Sequence, residues 1–332
     1  RAETAIPADA FRVDGAGRFL IPGLIDMHVH IRARDLSAYL RYGVTTVRNM
    51  WGYSALPPLI ARIDGGLELG PEIISVSPGV DGNPAKWPET IIEEDAQDAR
   101  RLVQSLHAAG WSAIKVYDDL AAAVYDSIIA AARDVGIPVV GHVPVRITVE
   151  HALDARQMTI EHLRGYDAAL APSSDWTAVP SLDTAAVTRL SRATRQANAW
   201  ICPTLTLYAV FYRSHPADSA RGVRNRRQVV VAMRQEGVRI LAGTDAGIDY
   251  TEPGRSLHDE LEELVSAGYT PAQVLNIATH DAAEFLGLTG SVGLVARGAI
   301  ADLVLLDANP LEDIRNTRRI VGTMRAGAWL RY

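Results

Sequence analysis

Short apolar, β-rich runs alternate with longer stretches of helical period, and the alternation recurs eight times before residue 250. The candidate strands are Leu24–His30, Val44–Met50, Ile73–Ser77, Ala113–Tyr117, Val139–Val143, Thr159–Leu163, Trp200–Thr204 and Ile240–Asp245. Between them lie segments such as Glu94–Ala109, where Ala96, Ala99, Leu102, Val103 and Leu106 share one helical face. Asp119–Val135, Asp183–Asn198 and Arg224–Gln235 carry the same period. Strands separated by helices pair in parallel through right-handed crossovers, and eight such units are the number that closes a (β/α)8 TIM barrel. A doubly wound α/β sheet is the alternative. Its usual G-x-G-x-x-G after the first strand is missing, since Pro22-Gly23 precedes that strand and nothing glycine-rich follows it.

Beyond the eighth strand come two helical stretches, Leu257–Ala267 and Pro271–Leu286, and then the texture changes. From Gly290 the chain is punctuated by glycine and strand-like at Asp302–Leu306, Ile320–Arg325 and Ala328–Leu330. Three short strands do not make a stable sheet alone. They are expected to pair with Phe11–Phe19 in a small composite β-sandwich, so that residues 20–288 form the barrel and residues 1–19 with 289–332 the sandwich. A chain of 332 residues, 48% of them hydrophobic, can bury the core this requires. A net charge of −6 argues against a nucleic-acid partner, because phosphate contacts need a basic face. No run approaches the ~18 apolar residues that span a bilayer, so no membrane partner is expected. The numbered chain starts at Arg1, so any signal peptide would lie outside it, and cytoplasmic, periplasmic and secreted locations all stay open. The expected partner is a small-molecule substrate, and a homo-oligomer is compatible with the sequence.

The polar residues at the strand ends carry the chemistry. His28 and His30 are two apart on the first strand, so both imidazoles point to the same side, the barrel interior. His142 ends the fifth strand, His162 the sixth and Asp245 the eighth, where barrel enzymes present their active-site groups. A lone strand-end histidine is more often hydrogen-bonded structure than ligand. Five such groups on one rim are not packing, because each would be costly to bury unpartnered, and together they predict a shared metal centre. The single cysteine, Cys202, excludes a cysteine cluster and is expected to be a core thiol.

Of the 33 basic residues only Lys86 and Lys115 are lysines. Lys115 lies on the inward side of the fourth strand with Ala113 and Tyr117. A plain ammonium beside metal cations would be repelled and poorly solvated. Either its amine has added CO2, giving an anionic carbamate able to bridge two metals, or the lysine snorkels to the rim or pairs with Asp26 or Asp245. Lys86 sits in the polar loop Asn83-Pro84-Ala85-Lys86-Trp87-Pro88 and is expected to tolerate arginine. Lys115 is not, because a guanidinium cannot form the carbamate.

The run Pro22-Gly23-Leu24-Ile25-Asp26-Met27-His28-Val29-His30, followed by Gly43-Val44-Thr45-Thr46, Ile114-Lys115, Gly141-His142, Glu161-His162, Gly243-Thr244-Asp245 and Ala301-Asp302-Leu303-Val304, resembles the amidohydrolase superfamily. More narrowly it resembles the imidazolonepropionase-related and prolidase-like branch, from about Phe19 to the C-terminus. The resemblance implies two divalent metals, usually zinc. His28, His30 and Asp245 would hold the more buried one, His142 and His162 the other, and carboxylated Lys115 would bridge them. Two metals sharing a water lower its pKa from 15.7 toward ~7, and Asp245 would take its proton and pass it to the leaving nitrogen. As a pure ligand Asp245 would have no proton role.

The expected reaction is hydrolysis of a carbon–nitrogen bond, an amide in a dipeptide or N-acyl amino acid. A lactonase or phosphotriesterase-like hydrolase, a mononuclear deaminase-like site with Lys115 unmodified, and a non-catalytic scaffold are the alternatives. A scaffold has no reason to keep all six ligand positions. Softer expectations concern substrate. Tyr117 could reach a carbonyl, Arg32, Arg34 or Arg48 could clamp a carboxylate, and His258 and Tyr208 lie near the rim. Asp26 is expected to orient a ligand. His107, His151 and His215 are given no role.

Overall fold

Every one of the eight apolar runs overlaps a strand in the computed structural model, which describes residues 8, 10, 12–171, 175–213 and 219–332. The strands are β1 (Phe19–Pro22), β2 (Leu24–Val29), β3 (Val44–Asn49), β4 (Glu72–Ser75), β5 (Gly79–Asp81), β6 (Ile91–Ile92), β7 (Ile114–Val116), β8 (Val139–Gly141), β9 (Thr159–Glu161), β10 (Trp200–Cys202) and β11 (Arg239–Ile240). The last three are β12 (Leu303–Leu306), β13 (Ile320–Arg325) and β14 (Ala328–Arg331). The fold is α/β with parallel pairing. One sheet runs β2-β3-β4 and a second β11-β10-β9-β8-β7-β5-β6. Backbone hydrogen bonds also pass between the two sheets on both flanks: Met27 N–H to the Ala242 carbonyl at 2.8 Å, and Ser77 N–H to the Ala113 carbonyl at 2.9 Å.

Strands β2 and β3 are buried along their whole length, as parallel strands covered on both sides must be. Helices between the strands bury the stripe their period requires. In Ala96–Ala108, capped by the Asp95 carboxylate on the Gln97 amide, the inner face is Ala99, Val103 and Leu106. In Thr184–Ala197 it is Val187, Leu190, Ser191 and Thr194.

At or beyond the ends of several strands the backbone turns into the positive-φ region. Gly141 has φ of 123°, His162 of 60° and Asp245 of 59°. Such left-handed backbone is uncommon outside glycine and is concentrated at functional sites. Two glycines allow the strand ends to close on one another. A Cβ at Gly141 would lie 2.3 Å from the Val116 carbonyl, and one at Gly243 would lie 2.7 Å from the His28 Cβ.

The C-terminal strands form an antiparallel four-stranded sheet in the order β1-β12-β13-β14. The N-terminal strand differs from the expectation: pairing begins at Phe19, where the stretch Phe11–Phe19 was expected to end. Asp14 to Arg18 turn instead, with the Asp14 carboxylate accepting from Ala16 N–H and Arg18 N–H bonding the Gly15 carbonyl. Phe11 itself lies outside the described residues, and no second layer of a sandwich is present among those described. β5 and β6 were not anticipated, because the glycines and prolines between Pro78 and Pro88 hide their period. The expected helix Pro271–Leu286 is interrupted by a wide π turn at Ile277–Asp281. No helix among the described residues is long and apolar enough to cross a membrane.

Candidate metal centre

At the carboxyl ends of these strands the ring nitrogens of three histidines converge on one carboxylate. Asp245 Oδ1 lies 2.9 Å from His30 Nε2 and 3.2 Å from His28 Nε2, and its Oδ2 lies 3.9 Å from His162 Nε2. The donor atoms of His28, His30 and Asp245 all fall within 4.8 Å of one another. His142 stands one ring further out, its centroid 5.1 Å from that of His162. Lys115, 1% exposed at the middle of β7, lines the same cavity as all five. Neither Asp26 nor Asp245 comes within ion-pair distance of its amine, so the pairing weighed from the sequence is not formed.

Each buried imidazole is held from behind. His28 Nδ1–H donates to Glu161 Oε2 at 2.7 Å, His142 Nδ1–H to Asp118 Oδ1 at 2.7 Å, and His162 Nδ1–H to Thr204 Oγ1 at 2.7 Å. These bonds place the proton on Nδ1 and leave each Nε2 lone pair facing inward, which is how metal-binding histidines are oriented. His28 Nε2 is fully buried and has no hydrogen-bond partner. An orphaned buried acceptor costs about 1–3 kcal/mol, which a cation at that point would remove.

Electrostatics agree with such a donor set. Burial pushes His142 down to about 3, and lowers His30 and, further, His162. In these three rings burial favours the neutral form, the form in which a histidine binds metal. Burial alone would raise the Asp245 carboxyl; the rings of His162 and His28 outweigh it and hold it well below the usual carboxylate range. Burial also brings Lys115 down to about 8, against the attraction of Glu161 and Asp245. A second close trio, His28, Glu161 and Cys202, does not share these properties. Glu161 is spoken for by Arg48 at 2.9 Å and by His28, and burial raises the Cys202 thiol.

The centre opens onto a cavity of about 720 Å3, also lined by Arg32, Trp51, Tyr53, Leu59, Trp87 and Tyr117. Of the softer expectations, Tyr117 and Arg32 therefore face it. Three do not. Arg48 is 2% exposed and turned into the core, its Nε on the Met27 carbonyl at 2.7 Å and its Nη2 on Glu161, so it braces a carboxylate of the protein and not of a substrate. His258 is buried between the Thr317 hydroxyl at 2.8 Å and the Tyr42 carbonyl at 3.0 Å. Tyr208 packs its ring on Arg226, whose guanidinium carbon is 3.2 Å from the centroid. Arg34 is exposed beside Asp35, and His215 lies outside the described residues. Asp26 bonds the His28 amide at 3.2 Å and the Thr244 hydroxyl at 2.7 Å, fixing two ligand-bearing segments by their backbone and Thr244 side chain.

Sequence reasoning missed Glu161, Asp118 and Thr204. Glu161 was visible as a charge inside an apolar strand; Asp118 fell between the expected strand Ala113–Tyr117 and the helical stretch Asp119–Val135. Lys86, expected to be unconstrained, reaches Asp119 at 2.6 Å and Asp118 at 3.4 Å, the same Asp118 that holds His142.

Comparison with known proteins places this arrangement. The Amidohydrolase family profile matches residues 19–330. Among curated proteins, an adenine deaminase of Clostridium perfringens is 28% identical over 148 residues, 40% of this chain and 25% of that protein. The chain thus spans about a quarter of the curated relative it matches. A solved structure of a candidate prolidase from Bifidobacterium longum superposes with a TM-score of 0.81 at 26% identity, covering 99% of this chain and 85% of the other. A Xaa-Pro dipeptidase with methionine bound in its active site gives a TM-score of 0.78 at 20% identity over 99% and 91% of the two chains. The motif-bearing strand ends and these likenesses agree: the chain belongs to the amidohydrolase family, in the prolidase-like branch of that superfamily.

Proposed function

We propose that the chain is a metal-dependent hydrolase of amide bonds in dipeptides or N-acyl amino acids. His28, His30 and Asp245 would hold one divalent ion, His142 and His162 a second, both zinc, with carboxylated Lys115 between them. The observation that carries the reading is the convergence of three Nε2 atoms on the Asp245 carboxylate, one of them buried and unpartnered. Family membership and the prolidase and dipeptidase neighbours support a hydrolase acting on carbon–nitrogen bonds. Hydrogen bonds between the parallel sheets on both flanks support their closure into a barrel over about residues 20–288, with the antiparallel sheet beside it.

Bound divalent cations would supply Lewis acidity and an acidified water at neutral pH. The protein's own groups account for the rest. Asp245, held deprotonated, can accept a proton at Oδ2 and return it to the leaving nitrogen. Burial raises the Tyr117 phenol, so it stays protonated; its oxygen accepts from Trp87 Nε1 at 2.8 Å, and its own O–H is free to donate to a developing oxyanion. Arg32, at the cavity wall, suits a substrate carboxylate. The buried carboxylates Glu161 and Asp118 keep the imidazoles in the required tautomer.

The test is a hydrolysis screen of dipeptides, N-acyl amino acids and lactones with zinc-loaded protein, run beside Asp245→Asn. Amide turnover that falls by about 10²–10⁴ in the variant supports the reading. Equal turnover by the variant removes Asp245 from proton transfer, and lactone turnover alone changes the bond. One observation favours a second reading: of the six expected ligands, all of them described residues, only His28, His30 and Asp245 form a tight trio, which suits a mononuclear site with Lys115 unmodified. One metal ion per chain would support it.

A further inference from the structure

Trp87 is a large apolar side chain left 48% exposed and yet fixed in place. Its Nε1–H donates to Tyr117 Oη at 2.8 Å, and the Tyr117 ring stacks on His142 with centroids 4.2 Å apart. The segment around it is tied down on either side. Lys86 bonds Asp119 at 2.6 Å, Trp51 Nε1–H donates to the Pro88 carbonyl at 3.1 Å, and Ser54 N–H donates to Glu89 Oε2 at 2.7 Å. The indole is therefore a rigid wall one ring away from a candidate ligand. Trp51, Tyr53, Leu59 and Ile248 extend the same wall around the cavity.

An aromatic face held rigid and unburied gains free energy when a ligand covers it, and it loses little entropy in doing so because it is already ordered. Of the charged groups on this side, Arg62 is engaged by Glu68 at 2.9 Å and Glu89 by Ser54, and Arg32 is assigned to the substrate carboxylate. The wall can therefore reward apolar area more than charge.

We propose that this wall sets the substrate class: the residue next to the scissile amide carries a large apolar side chain, aromatic in preference. Trp87 is the specificity-determining residue. Lys86 is a positioning residue that holds the segment bearing it. The inference rests on the amide-hydrolase reading but makes its own prediction about binding.

The test measures binding by calorimetry, and kcat/KM, for N-acetyl-phenylalanine and N-acetyl-alanine on the protein as purified. The phenyl compound should bind tighter and react with higher kcat/KM by about tenfold or more. Trp87→Ala should reduce both ratios to near unity, while Trp87→Phe, which keeps an apolar face, should retain most of them. Lys86→Met should raise KM for the phenyl compound more than it lowers kcat, with Lys86→Arg restoring KM. If zinc-loaded protein hydrolyses neither compound nor the dipeptides Phe-Pro and Ala-Pro, and the binding preference still depends on Trp87, the hydrolase reading fails and the wall stands. Equal or undetectable binding of the two compounds, or a preference untouched in a folded Trp87→Ala, overturns the inference.

Discussion

Replacing Asp118 by asparagine keeps its size but removes the charge that His142 Nδ1–H meets at 2.7 Å. Metal affinity should fall about 10–100-fold, read by zinc titration against a competing chelator, with thermal stability nearly unchanged. His258 should behave in the opposite way. His258→Leu leaves the Tyr42 carbonyl without its side-chain donor, while the Thr317 hydroxyl keeps its bond to the Ile314 carbonyl, so stability should drop by about 2 kcal/mol in urea melts while kcat/KM is unchanged. These two residues also show what could be read beforehand. Strand alternation located His28, His30 and Lys115, since period two is a property of backbone alone. It gave no reason to expect Glu161 inside beside His162, because a φ of 60° at His162 breaks the alternation and lets neighbours share the interior. Sequence distance to the rim placed His258 and Arg48 near a substrate, but only packing decides which way a long side chain turns.

At the scale of elements, the helix Leu205–Arg213 begins on a carboxyl group supplied by another helix. Glu260 Oε2 accepts from the Thr206 amide at 2.7 Å. Burial pushes Glu260 from 4.5 up to about 8, against the pull of that bond. Because the folded state binds the proton more tightly, this contribution to stability is complete below about pH 4.5 and is lost as pH rises through about 8. Unfolding free energy should therefore decline from pH 5 to 9, and Glu260→Gln should flatten that decline; an unchanged slope would remove Glu260 as its source. Helical stripes and β-rich runs made the main elements legible, while β5, β6 and the start of β1 were not. There the chain is held by turns and by pairing with distant strands, such as Phe19 with Leu306, that no local pattern encodes.

For the whole molecule, what matters is that several strand ends meet closely enough for their side chains to line one cavity. Gly243 sits at that meeting point, where a Cβ would lie 2.5 Å from Cys202 Sγ and 2.7 Å from His28 Cβ. Gly243→Ala should cost about 1–3 kcal/mol of stability, seen as a lower melting temperature, and should weaken zinc binding with it. The α/β class with parallel sheets could be anticipated because eight alternations admit few arrangements. The cavity walls could not, since they come from segments without period. The most direct measurement is the metal content of the zinc-loaded protein and of Lys115→Arg, by mass spectrometry, with amide turnover assayed on the same samples. Two ions per chain in the wild type, with loss of both ions and activity in Lys115→Arg, is the predicted result. A Lys115→Arg protein that keeps two ions and full turnover would contradict the account.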